Sequence, residues 1–214
     1  MNKGAAGKPR VSAVIPAFRE ERTIGEVVRG CLSHVDEVLV VDDGSGDDTA
    51  VNAEAAGARV LRLPRNMGVL KAVETGLREA SGDIIVTIDG DGQHSPDDIP
   101  HLVHPIILGE ADLVMGARPS LPHLSEKVLT WITSLRVPVG DASTGFRAIR
   151  KETADRMRLH GACLCGTFVL EAARNGARVK DVPVTVAERR HGGRRIQTRH
   201  LRQLLYVAWD VLRL

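Results

Sequence analysis

Asp89 and Asp91 stand two residues apart around Gly90, directly after an apolar run that ends at Ile88. Paired carboxylates at the end of a buried strand can hold a hard divalent cation that keeps waters and takes phosphate oxygens. An EF-hand loop is excluded, because Gln93 and Pro96 interrupt the run of ligands such a loop requires. A lone D-x-D is a weak signal. Its setting between Gly82-Asp83 and Gln93-His94-Ser95-Pro96 makes it sharper. Two further acidic clusters, Glu20-Glu21 and Asp42-Asp43, also follow apolar runs. Like charges repel, so acids gathered at neighbouring strand ends point to a cation or to hydrogen-bond donors of a ligand. Asp42-Asp43-Gly44-Ser45-Gly46 superficially matches a dinucleotide loop. That reading fails, because the third glycine is missing and carboxylates stand where a pyrophosphate needs positive potential. The acids suit ribose hydroxyls or base N–H groups instead, and a turn capped by Asp and Ser remains the competing explanation.

The elements that must present these acids alternate in type. Short apolar runs at 11–16, 37–41, 59–63, 83–88 and 112–115 read as strands, and 20–32, 47–56, 68–80 and 96–108 as helices. Gly57 and Gly82 stand just past two helix ends, and Ser95-Pro96 opens the last of these helices. Strands separated by helices predict a parallel sheet with right-handed crossovers. Ligands of such sheets collect at the carboxyl ends of the strands, where all three acidic clusters fall. Beyond Arg118 the spacing predicts helices at 125–136 and 166–175 and a strand at 144–149. An edge strand at 179–187, broken by Pro183, comes next. The final helix carries apolar residues at 201, 204, 205, 208, 211 and 212. No repeat or linker appears. The chain divides into a flexible start at 1–10, one domain at 11–198 and an amphipathic helix at 199–214.

Composition narrows the class. With 43% hydrophobic and 26% charged residues, the 214-residue chain has the balance of a soluble globular protein. Aromatic residues are only 3%, which leaves few platforms for stacking single-stranded nucleic acid or sugar rings. Charge is unevenly placed. Residues 188–214 carry seven arginines against Glu188 and Asp210, a net of +5, while the preceding residues sum to −3. Of 29 basic residues 23 are arginine, the side chain suited to forked contacts with phosphate oxygens. Cys31, Cys163 and Cys165 show no metal-ligand spacing and read as buried or idle thiols in a reducing compartment. No apolar run reaches the ~18 residues of a membrane span, and the polar start is no signal peptide. The expected location is cytoplasmic, at most peripheral on a membrane surface.

The ordered segments resemble the family 2 glycosyltransferases of GT-A fold, in particular the polyprenyl (dolichyl)-phosphate mannosyl- and glucosyltransferases. The resemblance rests on 14–20, on Val40-Val41-Asp42-Asp43-Gly44-Ser45, and on Asp89-Gly90-Asp91-Gly92-Gln93-His94. It continues through Gly116-Ala117-Arg118, 141–147, Val182-Pro183, Arg189, Gly192 and Arg195. It implies an α/β fold, with helices flanking a mostly parallel central sheet. Pro16, Phe18, Glu20, Val41 and Asp43 would then line the pocket for the donor's base and ribose. Asp89, Asp91 and Gln93, with Gly90 between the acids, would place Mg2+ or Mn2+ against the donor diphosphate. Arg118, Arg189 and Arg195 would contact phosphates of donor or acceptor.

The implied reaction is inverting transfer of a hexose, foremost mannose from GDP-mannose, to a polyprenyl phosphate. UDP-glucose as donor, or a sugar hydroxyl as acceptor, are the alternatives. A non-catalytic nucleotide-sugar-binding module is the alternative of another class. A polyprenyl phosphate is already an anionic nucleophile, whereas a hydroxyl would need a base. Asp141 is the residue nominated for that task, and a turn acid before Ser143-Thr144-Gly145 is its competing reading. The glycines near Arg189–Arg195 would let that basic segment close over a diphosphate. The final helix either packs on the domain or lies on an anionic membrane. Nucleic acid is not an expected partner. The chain departs from the family pattern at Phe18-Arg19, where Tyr-Asn is usual, at Val69, where a lysine is common, and at Arg195, where lysine is usual.

Overall fold

The computed structural model describes residues 7–187 and 200–214. Its strands are β1 (Val11–Ala17), β2 (Glu37–Asp42), β3 (Arg59–Arg62), β4 (Ile84–Thr87), β5 (Leu113–Ala117), β6 (Arg147–Arg150) and β7 (Val179–Pro183). They form one sheet in the order β3-β2-β1-β4-β6-β5-β7. The β1–β2, β1–β4, β2–β3 and β5–β7 pairs are parallel, whereas β6 runs antiparallel to β4 and β5. The mostly parallel α/β sheet expected from the alternating pattern is therefore present.

Helices cover both faces of the sheet, which is why its central strands read as unbroken apolar runs. Along β1 the side chains alternate between two cores, as the strand's two-residue period requires. Val14 joins Leu39, Val41 and Ile85 under helix α3 (Val69–Glu79), together with Phe168 and Val169 of α7 (Thr167–Arg174). Ala13 and Ile15 face the other way, toward α1 (Ile24–Leu32) and α4 (Ile99–Ile107). The chain steps outward from β1 to β2 to β3 and then returns to the far side of β1 as β4. That reversal puts a topological switch point, the usual ligand crevice of an open sheet, between the carboxyl ends of β1 and β4.

Several boundaries differ from the sequence reading for local reasons. Helix α1 starts at Ile24 rather than near Glu20, because the Glu20 carbonyl closes a turn with the Thr23 and Ile24 amides. Helix α2 is Thr49–Ala55. Strand β6 starts at Arg147, since Thr144 Oγ1 accepts the Phe146 amide at 3.1 Å and holds the preceding residues in a turn. A short helix α6 (Lys151–Arg156) follows β6 without a sequence signal. Strand β7 lies at the sheet edge and stops at Pro183. Helix α5 spans Leu124–Ser134, and α8 spans His200–Arg213. Among the described residues no helix is long and apolar enough to cross a membrane.

Candidate active site

The loop after β4 carries Asp89, Gly90 and Asp91, and neighbours on three sides fix it. Thr87 Oγ1 donates to the Gly145 carbonyl at 2.7 Å, and Thr23 Oγ1 donates to the Gly90 carbonyl at 2.7 Å. Gly145 lies directly against the Asp89 carboxylate. A Cβ added there would stand 2.7 Å from Asp89 Oδ1, closer than any real Cβ contact. Asp91 Oδ1 accepts the Gln93 amide at 3.1 Å. The Gln93 side-chain nitrogen donates to the Ala187 carbonyl at 3.3 Å, so the amide oxygen is the end that remains for a cation. His94 pairs with Val186 in an isolated antiparallel bridge and packs on Phe146 at 5.1 Å between ring centroids.

The ends of β1 and β2 are tied to each other and to β3. Asp43 is buried, and its carboxylate oxygens accept the Met67 and Gly68 amides at 2.7 and 2.8 Å. It thereby pins the loop before α3 to the end of β2, where Asp42 caps the Ser45 amide at 3.1 Å. Val41 is fully buried in the core and supports the site rather than lining it. Pro16, Phe18 and Glu20 are partly exposed along the exit of β1. The Glu20 amide donates to Thr49 Oγ1 at 2.8 Å and the Arg19 amide to Ser45 Oγ at 2.9 Å, which joins the two loops. Arg19 adopts a φ of 59°, a left-handed conformation that suits asparagine far better than arginine.

Arg118 and Asp141 are brought together as a pair. Arg118 Nε and Nη2 donate to the two Asp141 oxygens at 2.6 and 3.0 Å, the forked geometry of a strong charge-assisted contact. The Asp141 side chain is 0% exposed and that of Arg118 11%. Glu126 stands 3.6 Å from Arg118 Nη1, and Asp141 Oδ1 also accepts the Ser143 amide at 2.9 Å. Burial works against the Arg118 charge, but the contacts with Asp141 outweigh it, and the guanidinium holds its proton more tightly than usual. So engaged, Asp141 has no oxygen turned to solvent from which to take an acceptor's proton. Its two oxygens hold the Arg118 guanidinium in one orientation.

The donor set on the β4 loop consists of oxygens, two carboxylates and one amide, the chemistry that suits Mg2+ or Mn2+. Two buried polar atoms near it, His94 Nδ1 and Ser143 Oγ, have no hydrogen-bond partner among the described residues. The residues present therefore fit a hard cation with a polar ligand. A separate cavity of about 250 Å³ opens between α1 and the Ser95–Asp97 turn, touching Asp91 and His94. Of the residues expected at the donor site, Asp91 borders it, whereas Pro16, Asp43 and Arg118 do not. Arg189 and Arg195 lie outside the described residues.

His94 and Arg147 are the site neighbours that residue spacing did not single out. Burial lowers the His94 pKa to about 4, against the pull of Asp91 and Asp141, so at neutral pH it is an uncharged prop of the acidic loop. Arg147 is buried across the Phe168 ring at 4.4 Å and donates to the Thr144 carbonyl at 2.7 Å. Burial lowers its pKa, while the charges of Asp89 and Asp141 oppose that effect. The sequence signal for Arg147 was its place at the end of the 141–147 segment that carries the family resemblance.

A switch-point crevice rimmed by a D-x-D loop and a buried arginine defines a sugar-nucleotide transferase of GT-A type. The chain belongs to glycosyl transferase family 2, whose family model matches residues 12–167. A UDP-N-acetylglucosamine–dolichyl-phosphate N-acetylglucosaminyltransferase of Methanococcus voltae is 32% identical over 208 residues, 80% of this chain and 83% of its own. An undecaprenyl-phosphate 4-deoxy-4-formamido-L-arabinose transferase of Sodalis glossinidius is 31% identical over 92% of this chain and 66% of its own. Among solved structures, glucosyl-3-phosphoglycerate synthase from Mycobacterium tuberculosis, in complex with Mn2+ and UDP-glucose, superposes with a TM-score of 0.79. It is 27% identical, and the match covers 95% of this chain and 79% of that one. The protein is thus a glycosyltransferase.

Proposed function

We propose that the protein transfers a sugar from a nucleotide-diphosphate donor to a polyprenyl phosphate, with a divalent cation held by Asp89, Asp91 and Gln93. The observation that carries the reading is the Asp89–Asp91 loop fixed by Gly145 at the switch point, where a donor diphosphate would meet it. The cation, when bound, supplies Lewis-acid stabilisation to the departing nucleotide diphosphate. Arg118, aimed by Asp141, adds a fixed positive charge in a partly desolvated place, where such charges act strongly. Arg189 and Arg195 are proposed to add further phosphate contacts. The strand-end residues Pro16, Phe18, Glu20 and Asp43 are proposed to form the nucleoside side of the crevice. Residues 11–198 are the proposed catalytic unit.

The acceptor class is supported by the two polyprenyl-phosphate transferases named above. Such an acceptor is ionised at neutral pH and needs no base, which agrees with the engaged state of Asp141. Mannose from GDP-mannose is the donor that the family resemblance puts foremost. A UDP-sugar is the second reading, favoured by the uridine nucleotides in the names of the M. voltae relative and the Mycobacterium complex. A donor panel of GDP-mannose, UDP-glucose and UDP-N-acetylglucosamine, with a short polyprenyl phosphate and Mg2+, Mn2+ or chelator, tests both. Lipid-linked sugar that forms only with metal supports the reading. Transfer to 3-phosphoglycerate but not to lipid phosphate would overturn the acceptor assignment.

Helix α8 supports contact with a membrane surface. Leu201, Leu205, Trp209 and Leu212 are 77, 75, 55 and 77% exposed, and Trp131 of the adjoining α5 and Leu135 just past its end are exposed as well. Arg213 lies over the Trp209 ring at 4.7 Å, placing positive charge beside this apolar row. Such a face suits the interface of an anionic bilayer, where a lipid phosphate acceptor resides.

A further inference from the structure

A second set of metal-ligating side chains lies outside the Asp89–Asp91 loop. Cys163 and Cys165, from the loop between α6 and α7, meet His200, the first residue of α8, and all three are buried. Their ligand atoms fall within 4.8 Å of one another, and Cys165 Sγ is 3.8 Å from His200 Nε2. With Zn–S near ~2.3 Å and Zn–N near ~2.0–2.1 Å, a tetrahedral site has S···N and S···S edges of about 3.6 and 3.8 Å. The cluster therefore needs only a small contraction to close on an ion.

The surroundings hold these ligands in place. His200 Nδ1 is 2.8 Å from Ser125 Oγ, which accepts in the tautomer that frees Nε2 toward the thiols. A ligating histidine is usually held in this way through its far nitrogen. The Gln203 side chain clasps the cysteine loop from both sides. Its Oε1 accepts the Ala162 and Cys163 amides at 2.8 and 3.1 Å, and its Nε2 donates to the Cys165 carbonyl at 2.8 Å. Gly161 and Gly166 bracket the pair at φ values of 111° and 77°. A Cβ at Gly161 would lie 2.8 Å from Gln203 Oε1, and one at Gly166 would lie 2.8 Å from Val207 Cγ2, so α8 packs directly on the loop.

We infer that Cys163, Cys165 and His200 bind a thiophilic divalent cation, zinc by its chemistry, and so staple the first turn of α8 to the 161–166 loop. Two thiolates and an imidazole select zinc over the hard ions that suit Asp89 and Asp91. The two thiolate charges also neutralise the cation, which removes the cost of burying an unpaired charge. The cysteine pair, read from its spacing as idle, becomes a ligand set only when the fold brings in a histidine 35 residues further on.

The test uses the full chain purified without chelator. Its zinc content is measured, and the zinc is then exchanged for cobalt, whose bonds to thiolate give a charge-transfer band in the near ultraviolet. The wild type is expected to retain equimolar zinc and to show the band. Cys31→Ser and Asp91→Asn keep both, because neither residue is in the cluster. Cys165→Ser and His200→Gln lose the zinc, with a lower melting temperature. Absence of the band in the folded wild type overturns the site, whatever the variants do. So does a band that survives in Cys165→Ser.

Discussion

Replacing Asp141 by Asn is the most informative single perturbation of the sugar-transfer site. Asn keeps the shape and an acceptor for the Ser143 amide but removes the charge that holds Arg118 in a fork. With the Asp141 side chain 0% exposed and that of Arg118 11% exposed, the variant leaves a guanidinium buried without its main partner. Breaking a buried pair in this way typically costs about 3–5 kcal/mol. Glu126 at 3.6 Å still neutralises part of the charge, so the expected loss is at the lower end. A loss of about 3 kcal/mol corresponds to a fall in Tm of roughly 6–12 °C for a chain of this size. Urea denaturation measures the stability, and lipid-linked product formation measures turnover. A positioning role predicts a lower kcat/KM with an unchanged shape of its pH profile, whereas loss of a general base would remove the acidic limb. The double variant Arg118→Met with Asp141→Leu should recover most of the stability and none of the turnover, since apolar replacement of a whole buried pair is often neutral. A stability loss below about 1 kcal/mol for Asp141→Asn, the range of exposed pairs, would refute this account of the pair.

Gly145→Ala should displace Asp89 and weaken Mn2+ binding roughly tenfold or more, as loss of an outer support commonly does; Mn2+ titration reads the change, and unaltered affinity would show that the close approach is unimportant. Arg19→Asn should stabilise the protein by up to about 1 kcal/mol, because it relieves a left-handed arginine at φ 59°; a lower urea midpoint would contradict that. Glu37 has its pKa lowered to about 2 from 4.5, because hydrogen bonds from Ser12, Ser81 and Arg59 outweigh a burial effect in the other direction. Its folded-state pKa is depressed, so its contribution is complete above about 4.5 and is lost as the pH falls toward 2. Glu37→Gln should therefore flatten the stability–pH curve in that window, and an equally steep curve would count against it. Leu205→Ser and Trp209→Ser should each weaken binding to anionic vesicles by about tenfold or more without lowering Tm, because each removes an exposed side chain whose burial stabilises by roughly 1.5–3 kcal/mol.

Asp89 and Asp91 were legible in the sequence because strand, glycine and acid follow one another within a few residues. The parallel sheet was legible for the same local reason. What escaped depends on partners far along the chain. The carboxylate of Asp43 looks like a ligand group in its own segment, yet its partners are amides 24 and 25 residues on. Arg118 and Asp141 were each assigned a role of their own, and only the return of the chain through α5 shows that they form a pair. Arg147 opens β6, which ends in a second arginine, Arg150, and spacing alone could not show which of the two is buried or which ring and charges receive it.

Helix α8 shows most directly what hydropathy leaves out. Its apolar stripe left packing on the domain and lying on a membrane both open, and in the structure Leu201, Leu205 and Leu212 are exposed while His200, Gln203 and Asp210 are buried with Val207. Buried polar groups are tolerable only where they are satisfied. Here Gln203 spans the cysteine loop, and Asp210 meets His160 Nε2 at 2.8 Å. The helix is therefore attached both by these polar contacts and by Val207, Leu204 and Val211 packed on the core, while Leu201, Leu205 and Leu212 stay exposed. Ala187 pairs with Gln93 beside the cation motif, and His200 begins α8, so the arginine-bearing residues 188–199 join those two places covalently.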